Sequence, residues 1–261
     1  MNKPLSEIAV DAFKNYLVAS RQSSGEHDHK DKKFYVSDMG KCMRMRFLKR
    51  KGIKGTYGYE AYYTFSQGDY VHDLVYKAFE AQGILHSMEQ KVETEHFVGR
   101  YDGKLNANKE ISMFDTKSTN PYVMKRIVAG AGDNVENIMQ VLTYLLLDPK
   151  AKEMTDTSLV IYVNKLPSDK IEPTIMKPMV YHLGNYKARI EEDMNKMIDY
   201  WNKNKIPPCT CPSWSMQKYN SFFPFCQGDE KMIKKHLDYI KAGKTVSADG
   251  YEIKITDPIG E

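Results

Sequence analysis

Apolar side chains recur at helical spacing at the start of the chain. Leu5, Ile8, Ala9, Ala12, Phe13, Tyr16 and Leu17 predict one amphipathic helix over residues 5–20. Residues 21–33 (RQSSGEHDHKDKK) break that pattern with polar, turn-forming side chains and predict a linker. Ser37 is a good N-cap, and a second helix is expected from it through a run of cations to Gly52 and Gly55. A third spans about 66–82, with Val71, Leu74, Val75, Ala78 and Phe79 on one side and Gly83 as its stop. The period then shortens. Lys91 to Lys117 reads as strands, interrupted by a polar turn at Asn106-Ala107-Asn108-Lys109. Val135, Ile138, Met139, Leu142, Leu145 and Leu146 return to helical spacing over 134–147. Thr157–Val163 and Met179–Leu183 suit strands, and a long polar helix is expected over about 185–203. Pro207, Pro208, Pro212 and Pro224 mark an irregular segment, and the basic tail beyond it has room for one short helix and a terminal strand. There is no internal repeat.

This succession predicts an α/β fold: a mixed central β-sheet flanked by helices, with an N-terminal helical arm and a C-terminal cysteine-bearing segment. Three parts are expected, namely 1–33 (helix and linker), 34–226 (the main domain) and 227–261 (a basic extension). A chain of 261 residues with 41% hydrophobic and 28% charged residues of both signs can bury a sizeable core. Its longest apolar run, Val141 to Leu147, is far short of the roughly 18–20 residues that cross a bilayer. The N-terminus, MNKPLSEIAVDAF, places acids inside its apolar stretch and has no cleavage site of small residues, so a cytoplasmic protein is expected, neither exported nor membrane-bound.

A net charge of +4 does not by itself announce a nucleic-acid binder. Its distribution says more. Lys41, Arg44, Arg46, Lys49, Arg50, Lys51 and Lys54 fall together with no acid among them, which would suit a polyanion such as DNA and would equally suit a solvated helix face. The four cysteines, Cys42, Cys209, Cys211 and Cys226, suggest metal before disulfides in a chain without an export signal.

Four pieces that could carry chemistry occur in order: Gly68-Asp69-Tyr70-Val71-His72, Gly99-Arg100-Tyr101-Asp102, Asp115-Thr116-Lys117, and Gln140 with Tyr144. A hairpin-like connection could bring Asp102 beside Asp115. Two carboxylates ~4 Å apart repel by about 4 kcal/mol at an effective dielectric near 20, so they call for a cation between them. Oxygen ligands favour magnesium, manganese or calcium over zinc. In a strand, Asp115 and Lys117 point to one face, with the Thr116 carbonyl between them. Such a site suits phosphodiester hydrolysis, the metal activating water and Lys117 orienting it or stabilising the transition state. Gln140 and Tyr144 lie at i and i+4, on one helix face. Asp-x-Lys alone has little specificity and often marks an ordinary ion pair. His72 alone reads as a helical histidine, and Glu89 as a solvated acid or a further acid of the site.

GDYVH, VGRYD, FDTKS and Gln140-x-x-x-Tyr144 resemble the successive motifs of the PD-(D/E)XK nucleases, in their RecB-like branch. The similarity runs over roughly residues 37–226 and rests on order and spacing. It implies a restriction-endonuclease-like core, with magnesium or manganese held by His72, Asp102, Asp115 and the Thr116 carbonyl. Asp102, Asp115 and Lys117 would be catalytic, with Gln140 and Tyr144 placing the lysine and the DNA backbone. Asp115 stands where many relatives have glutamate. One subgroup, which includes AddB and CRISPR-associated exonucleases, has one cysteine before the core and three after it, holding a 4Fe–4S cluster. Cys42, then Cys209, Cys211 and Cys226, are similar in layout but looser in spacing, and zinc is the alternative occupant. The basic helix (Lys41, Arg44, Arg46, Lys49, Arg50) would then form a DNA-binding surface beside the cluster. Tyr57, Tyr59, Tyr62 and Tyr63 would stack on bases or simply pack, and Trp214, Phe222, Phe223 and Phe225 would shield the cluster.

The resemblance implies a metal-dependent DNA exonuclease acting at DNA ends, on single strands and 5'-to-3', in recombination, repair or CRISPR spacer acquisition. Its host would be a prokaryotic cell or a virus-infected one, its source a phage or mobile element, and its partners recombination or CRISPR-adaptation proteins or further copies of itself. Two alternatives stand beside this: a DNA-binding or assembly subunit with a decayed site, and a structure-specific endonuclease.

Overall fold

The computed structural model describes residues 5–23, 32–53, 59–107, 110–132, 134–211, 226, 230–241, 245–249 and 252–256. Gly55, Tyr57, Pro212, Trp214, Phe222, Phe223, Pro224 and Phe225, about which the sequence raised expectations, lie outside them.

A mixed sheet organises the chain, as the hydropathy pattern predicts. Strands β1 (Phe34–Tyr35), β2 (Leu85–Glu93), β3 (Phe97–Ala107), β4 (Glu110–Thr119), β5 (Thr157–Asn164) and β6 (Met176–His182) form it in the order β1-β3-β4-β5-β6, with β2 on the other edge of β3. β3 pairs antiparallel with β2 and β4, β4 pairs parallel with β5, and β5 antiparallel with β6. Because β4 and β5 are parallel, the chain must cross over between them. It does so through helices α4 (Pro121–Val128), α5 (Val135–Leu147) and α6 (Pro149–Met154). Good caps punctuate this crossover. Asn120 accepts from the Val123 N–H ahead of Pro121, and Asn134 accepts from Glu136 N–H. Asp148 ends α5 and starts α6 by accepting from Ala151 N–H at 3.1 Å.

Helix α3 (Tyr59–Ala81) covers one face of the sheet, and α1 (Leu5–Ser23) packs on it. The core on this side is small: Val71 and Val75 against Phe114, Ile161 and Val163. The other face carries α2 (Met43–Arg50), α5 and α7 (Leu183–Asn202) over the main core, which includes Phe34, Phe47, Tyr101, Met113, Leu142, Tyr144, Val160 and Ile190. Helix α8 (Glu230–Lys241) adds Ile233 to that core, and a hairpin of β7 (Thr245–Asp249) and β8 (Glu252–Thr256) ends the chain's described part. Ile233 of α8 thus packs into the main core, with Leu237 against it.

Some element boundaries differ from expectation. Ser37 does not cap the basic helix. It lies in a 3-10 turn, Val36–Asp38, and α2 starts only after Cys42. Burial decides this: Val36 and Met39 are both fully buried, and Gly40 takes φ +80, a left-handed conformation that breaks the helix between them. Gly52 (φ +95) and Gly83 (φ +66) end α2 and α3 as expected. Helix α3 begins earlier, at Tyr59, so Tyr62 packs rather than stacking on bases, while Tyr59 and Tyr63 stay exposed.

Candidate active site and cysteine centre

The site lies where β4 parts from β3. Their ladder ends at Gly103↔Phe114, while β2 follows the other edge of β3 as far as Val98. Val98 pairs with Glu93 of β2 on one edge and Tyr35 of β1 on the other, so β1 occupies the edge that β4 has left. Residues 99–102 therefore face a gap between β1 and β4. Asp102 closes part of it: its Oδ2 accepts from the Thr116 N–H at 2.6 Å, replacing a missing ladder partner, and lies 3.2 Å from His72 Nδ1. In a strand the N–H and C=O of one residue point to the same edge, so the Thr116 carbonyl also faces the gap.

Side-chain alternation puts Asp115 and Lys117 on the Met113 face, toward α5. There Gln140 bridges them. Its Nε2 donates to Asp115 Oδ1 at 3.0 Å, and its Oε1 accepts from Lys117 Nζ at 2.9 Å. Lys117 Nζ also lies 2.6 Å from Asp115 Oδ2, yet this buried oxygen has no directed hydrogen bond among the described residues. Burial, with the nearby charge of Asp102, pushes the Asp115 carboxyl up to about 6, although Lys117 opposes the shift. Burial works to lower the His72 pKa, but the hydrogen bond and charge of Asp102, with help from Asp115, leave it raised. Tyr144 is 1% exposed, and burial and the charge of Asp115 raise its pKa while its hydroxyl meets Gln140 and the Arg100 backbone.

The four sequence motifs thus meet at one place. Glu89 is elsewhere engaged, pairing with Arg100 at 3.0 Å on an exposed surface. Two contributors were missed. Tyr76, one helical turn beyond His72 and packed edge-on against its ring, has its pKa raised by burial and by the charges of Asp102, Glu89 and Asp115. Gly99 is the other. A Cβ there would meet Tyr144 Cε1 at 2.7 Å and Val36 Cβ at 3.0 Å, so only glycine lets the tyrosine reach the gap. The Gly-Arg-Tyr-Asp motif carried that signal.

A divalent cation fits this donor set. The Asp102–His72 pair lies near enough for its charges to act on the Asp115 carboxyl, and Asp115 Oδ2, buried and without a directed hydrogen bond among the described residues, is the kind of oxygen a hard cation takes.

The second cluster joins distant parts of the chain. The sulfurs of Cys42, Cys209, Cys211 and Cys226 all lie within 4.8 Å of one another, with Cys42 and Cys209 at 4.0 Å. Hydrogen bonding from Cys226 brings the Cys42 thiol down to about 4 against the effect of burial, aided by the Met45 and Thr210 N–H groups. Burial and the Cys42 charge push Cys211 up to about 12. Four sulfurs so close together suit a thiolate-bound cation. Arg44 ties the segments together, its Nε donating to the Pro207 carbonyl and its Nη1 to the Cys226 carbonyl, each at 2.9 Å.

The cations expected to offer themselves to DNA all have partners within the protein. Arg46 is 2% exposed and pairs with Asp193 at 2.5 Å. Arg44 holds the cysteine segments. Lys41 and Lys49 both pair with buried Asp38, at 3.0 and 2.7 Å. Arg50 is 8% exposed, donates through Nε to the Lys32 carbonyl and stacks on Trp201. These side chains turn inward because a helix so rich in cations can pack only if each finds an acid, a carbonyl or a ring. Asp38 lies only three residues before Lys41, but Asp193 is 147 positions from Arg46 and Trp201 is as remote from Arg50, so no spacing rule pointed to those two.

Among the described residues, no helix is long and apolar enough to cross a membrane. The sequence matches no protein-family model and no curated protein. Among solved structures it is similar to an alkaline exonuclease from Laribacter hongkongensis, at 10% identity and TM-score 0.42 over 66% of this chain and 89% of that one. The same enzyme in complex with dAMP gives 13% identity and TM-score 0.48 over the same shares. A phage-related exonuclease from Haemophilus somnus 129PT gives 15% identity and TM-score 0.33 over 51% of this chain and 69% of that one. At such similarity the chemistry has to be read from the side chains.

Proposed function

We propose that this protein is a divalent-metal-dependent deoxyribonuclease that hydrolyses phosphodiester bonds at DNA ends. The observation that carries the reading is the bridge from Asp115 through Gln140 to Lys117, set beside the Asp102–His72 pair at the parting of β3 and β4. His72, Asp102, Asp115 and the Thr116 carbonyl would hold magnesium or manganese. When bound, such an ion lowers the pKa of water and neutralises a non-bridging phosphate oxygen. The chain's residues do the rest. Gln140 fixes the Lys117 ammonium at the site, where it orients the attacking water or offsets charge on the phosphate. Tyr144 packs behind Gln140 and fixes its rotamer. Asp102 keeps His72 oriented and holds Thr116 so that its carbonyl faces the gap.

The finer reading is an exonuclease on single-stranded DNA, 5'-to-3', serving recombination, repair or CRISPR adaptation. Magnesium- or manganese-dependent digestion of end-labelled linear strands, with circular single strands left intact, supports it. Cleavage of the circle favours the structure-specific endonuclease. Binding without any cleavage by wild type favours the decayed subunit.

For the four cysteines the resemblance favours a 4Fe–4S cluster. A specific observation favours zinc: tetrahedral Zn–S bonds of about 2.3 Å place sulfurs roughly 3.8 Å apart, close to the 4.0 Å between Cys42 and Cys209. An iron–sulfur core would spread the thiolates wider. Anaerobic purification separates the two, a brown protein with absorbance near 400 nm meaning a cluster and a colourless one with stoichiometric zinc meaning an ion.

A further inference from the structure

A cleft of about 950 Å³ opens where the C-terminal ends of α2 and α7 meet α8. Lys32, Arg50, Lys51, Lys203, Lys205 and Lys234 line it, against one lining carboxylate, Asp238, among the described residues. The charge is partly compensated: Lys203 pairs with Asp199 at 2.8 Å, and Lys51 donates to Asn204 at 2.8 Å while lying over the Trp201 ring. Even so, cations from four separate segments converge on one concavity.

A second observation points to a ligand. Arg50 is 8% exposed, and its Nη1 is buried without a hydrogen-bond acceptor among the described residues. The rest of the guanidinium is spoken for, with Nε on the Lys32 carbonyl and the plane 3.9 Å from the Trp201 ring and 4.3 Å from Phe34. Leaving a charged N–H unpaired in a wall is costly, and an anionic oxygen entering the cleft would satisfy it. Trp201 itself is held edge-on by Phe34 and Phe47, which keeps this wall rigid.

We propose that this cleft is a phosphate-backbone site for a single DNA strand, with Arg50 as its buried anchor and Lys203, Lys205 and Lys234 as its rim. The choice of a strand over a lone anion follows from scale and position. Single nucleotides fill the low end of the roughly 300–1,000 Å³ that ligand sites occupy, whereas this cleft is near the top of that range and draws its cations from four segments of the chain. Phe34, against which Arg50 packs, pairs with Phe97 on β3, and Asp102 lies five residues further along that strand. At about 3.3 Å per residue, that is a contour of roughly 16 Å from the cleft's inner wall to the catalytic gap. The main core covers the face between them, so a strand that reaches both runs over the outside of that core. The assignment rests on the nuclease reading for the identity of the strand, and it gives residues beyond 226 a role.

The test uses full-length protein without added magnesium or manganese, so that binding is measured without cleavage and the cysteine centre is not stripped. The probe is a fluorescent single-stranded oligonucleotide of about 20 nucleotides, titrated over a range of salt. For the triple variant Lys203→Ala, Lys205→Ala, Lys234→Ala we expect affinity to fall about tenfold or more at low salt. Each lost phosphate contact should flatten the logarithmic salt slope by roughly 0.7, or about 2 for three contacts. Rim lysines are exposed, and an unchanged thermal midpoint checks that the fold persists. Affinity and slope equal to wild type overturn the proposal. So does weaker binding with an unchanged slope, since it would mean structural damage rather than lost phosphate contacts. If wild type binds the strand through the cleft but never cleaves DNA when metal is added, the nuclease reading fails and the cleft assignment stands.

Discussion

The gap between β1 and β4 and the cysteine centre are built in opposite ways. At the gap, His72, Asp102, Asp115, Lys117 and Gln140 sit on four adjoining elements, α3, β3, β4 and α5, and the β3–β4 ladder that ends at Gly103↔Phe114 leaves Asp102 close enough to accept from the Thr116 N–H. Its charges are already paired internally, so the arrangement stands without an ion. The cysteine centre joins Cys42 to residues more than 160 positions away, through one arginine and two carbonyls. Burial and the Cys42 charge oppose ionisation of Cys211, while hydrogen bonding favours it at Cys42. A site made by register can lose its ligand and keep its shape. One made by distant segments depends on its ligand for stability.

The sharpest way to break this contrast is at the gap. Asp115→Ala or Lys117→Ala should lower the cleavage rate at least about a thousandfold, since each removes a group worth several kcal/mol to the transition state. The thermal midpoint should hardly fall in Asp115→Ala, because losing a buried carboxylate whose pKa is raised removes a desolvation cost. Steady-state digestion and thermal melts check both halves. Undiminished turnover in clean Asp115→Ala would remove it from the site.

The cysteine centre should behave the other way round. Cys42→Ser or stripping by a chelator should act on stability first. Even a third of the roughly 10–16 kcal/mol with which thiolate-rich zinc sites bind would shift the melting midpoint by about 10 °C in a chain of this size. Below that midpoint the turnover number should stay within about twofold, since no cysteine touches the reacting groups. Loss of turnover with an unchanged midpoint would make the two sites one functional unit and end the contrast.

Gly99→Ala tests whether the gap's shape is as rigid as register implies. The added methyl would press on Tyr144 at 2.7 Å and on Val36 at 3.0 Å, both in the core. Overpacking of this kind costs about 1–3 kcal/mol, or several degrees of melting temperature. Because Tyr144 backs Gln140, activity should fall with it, and Tyr144→Phe made together with Gly99→Ala should not restore it, as the clash is with the ring. Full activity and stability in Gly99→Ala would mean that Tyr144 can move without consequence.

What was legible in the sequence follows the same division. The order of the motifs on β3, β4 and α5 was readable because strand alternation and helix spacing place Asp115, Lys117, Gln140 and Tyr144 by local rules. The sheet and the long helices were readable for the same reason. The partners of the α2 cations were not. Arg46 finds Asp193 and Arg50 finds Trp201 across the main core, and no periodicity in residues 41–54 announces which way those side chains turn. The start of α2 was misplaced because Ser37 has the right chemistry for a cap, while the burial of Val36 and Met39 and the left-handed Gly40 are set by the tertiary fold. The short α4 was missed although Asn120-Pro121 is a good starting signal, since eight residues give little periodicity to read.

The smallest effect expected concerns the frame between the two sites. Asp38 is 4% exposed and directly precedes the turn that leads to Cys42. Burial would raise its carboxyl, but Lys41 and Lys49 together outweigh it and hold Asp38 far below the usual carboxylate range. A carboxyl whose folded pKa is depressed stabilises the fold above its unfolded value of about 3.9, and that stabilisation is lost as the pH falls toward the folded value. Both lysines are partly exposed to solvent, so screening trims the gain to about 1 kcal/mol, or roughly 2–4 °C. Asp38→Asn keeps the shape and removes the charge. At pH 7 it should therefore melt a few degrees below wild type, and the two curves should converge between about pH 5 and pH 2 as wild-type Asp38 takes up its proton. Added salt should narrow the difference as well, because the lysine ends reach water. A difference that stays constant through that range would mean that the carboxylate acts by packing alone, and that the basic helix is held against the cysteine centre by burial rather than by charge.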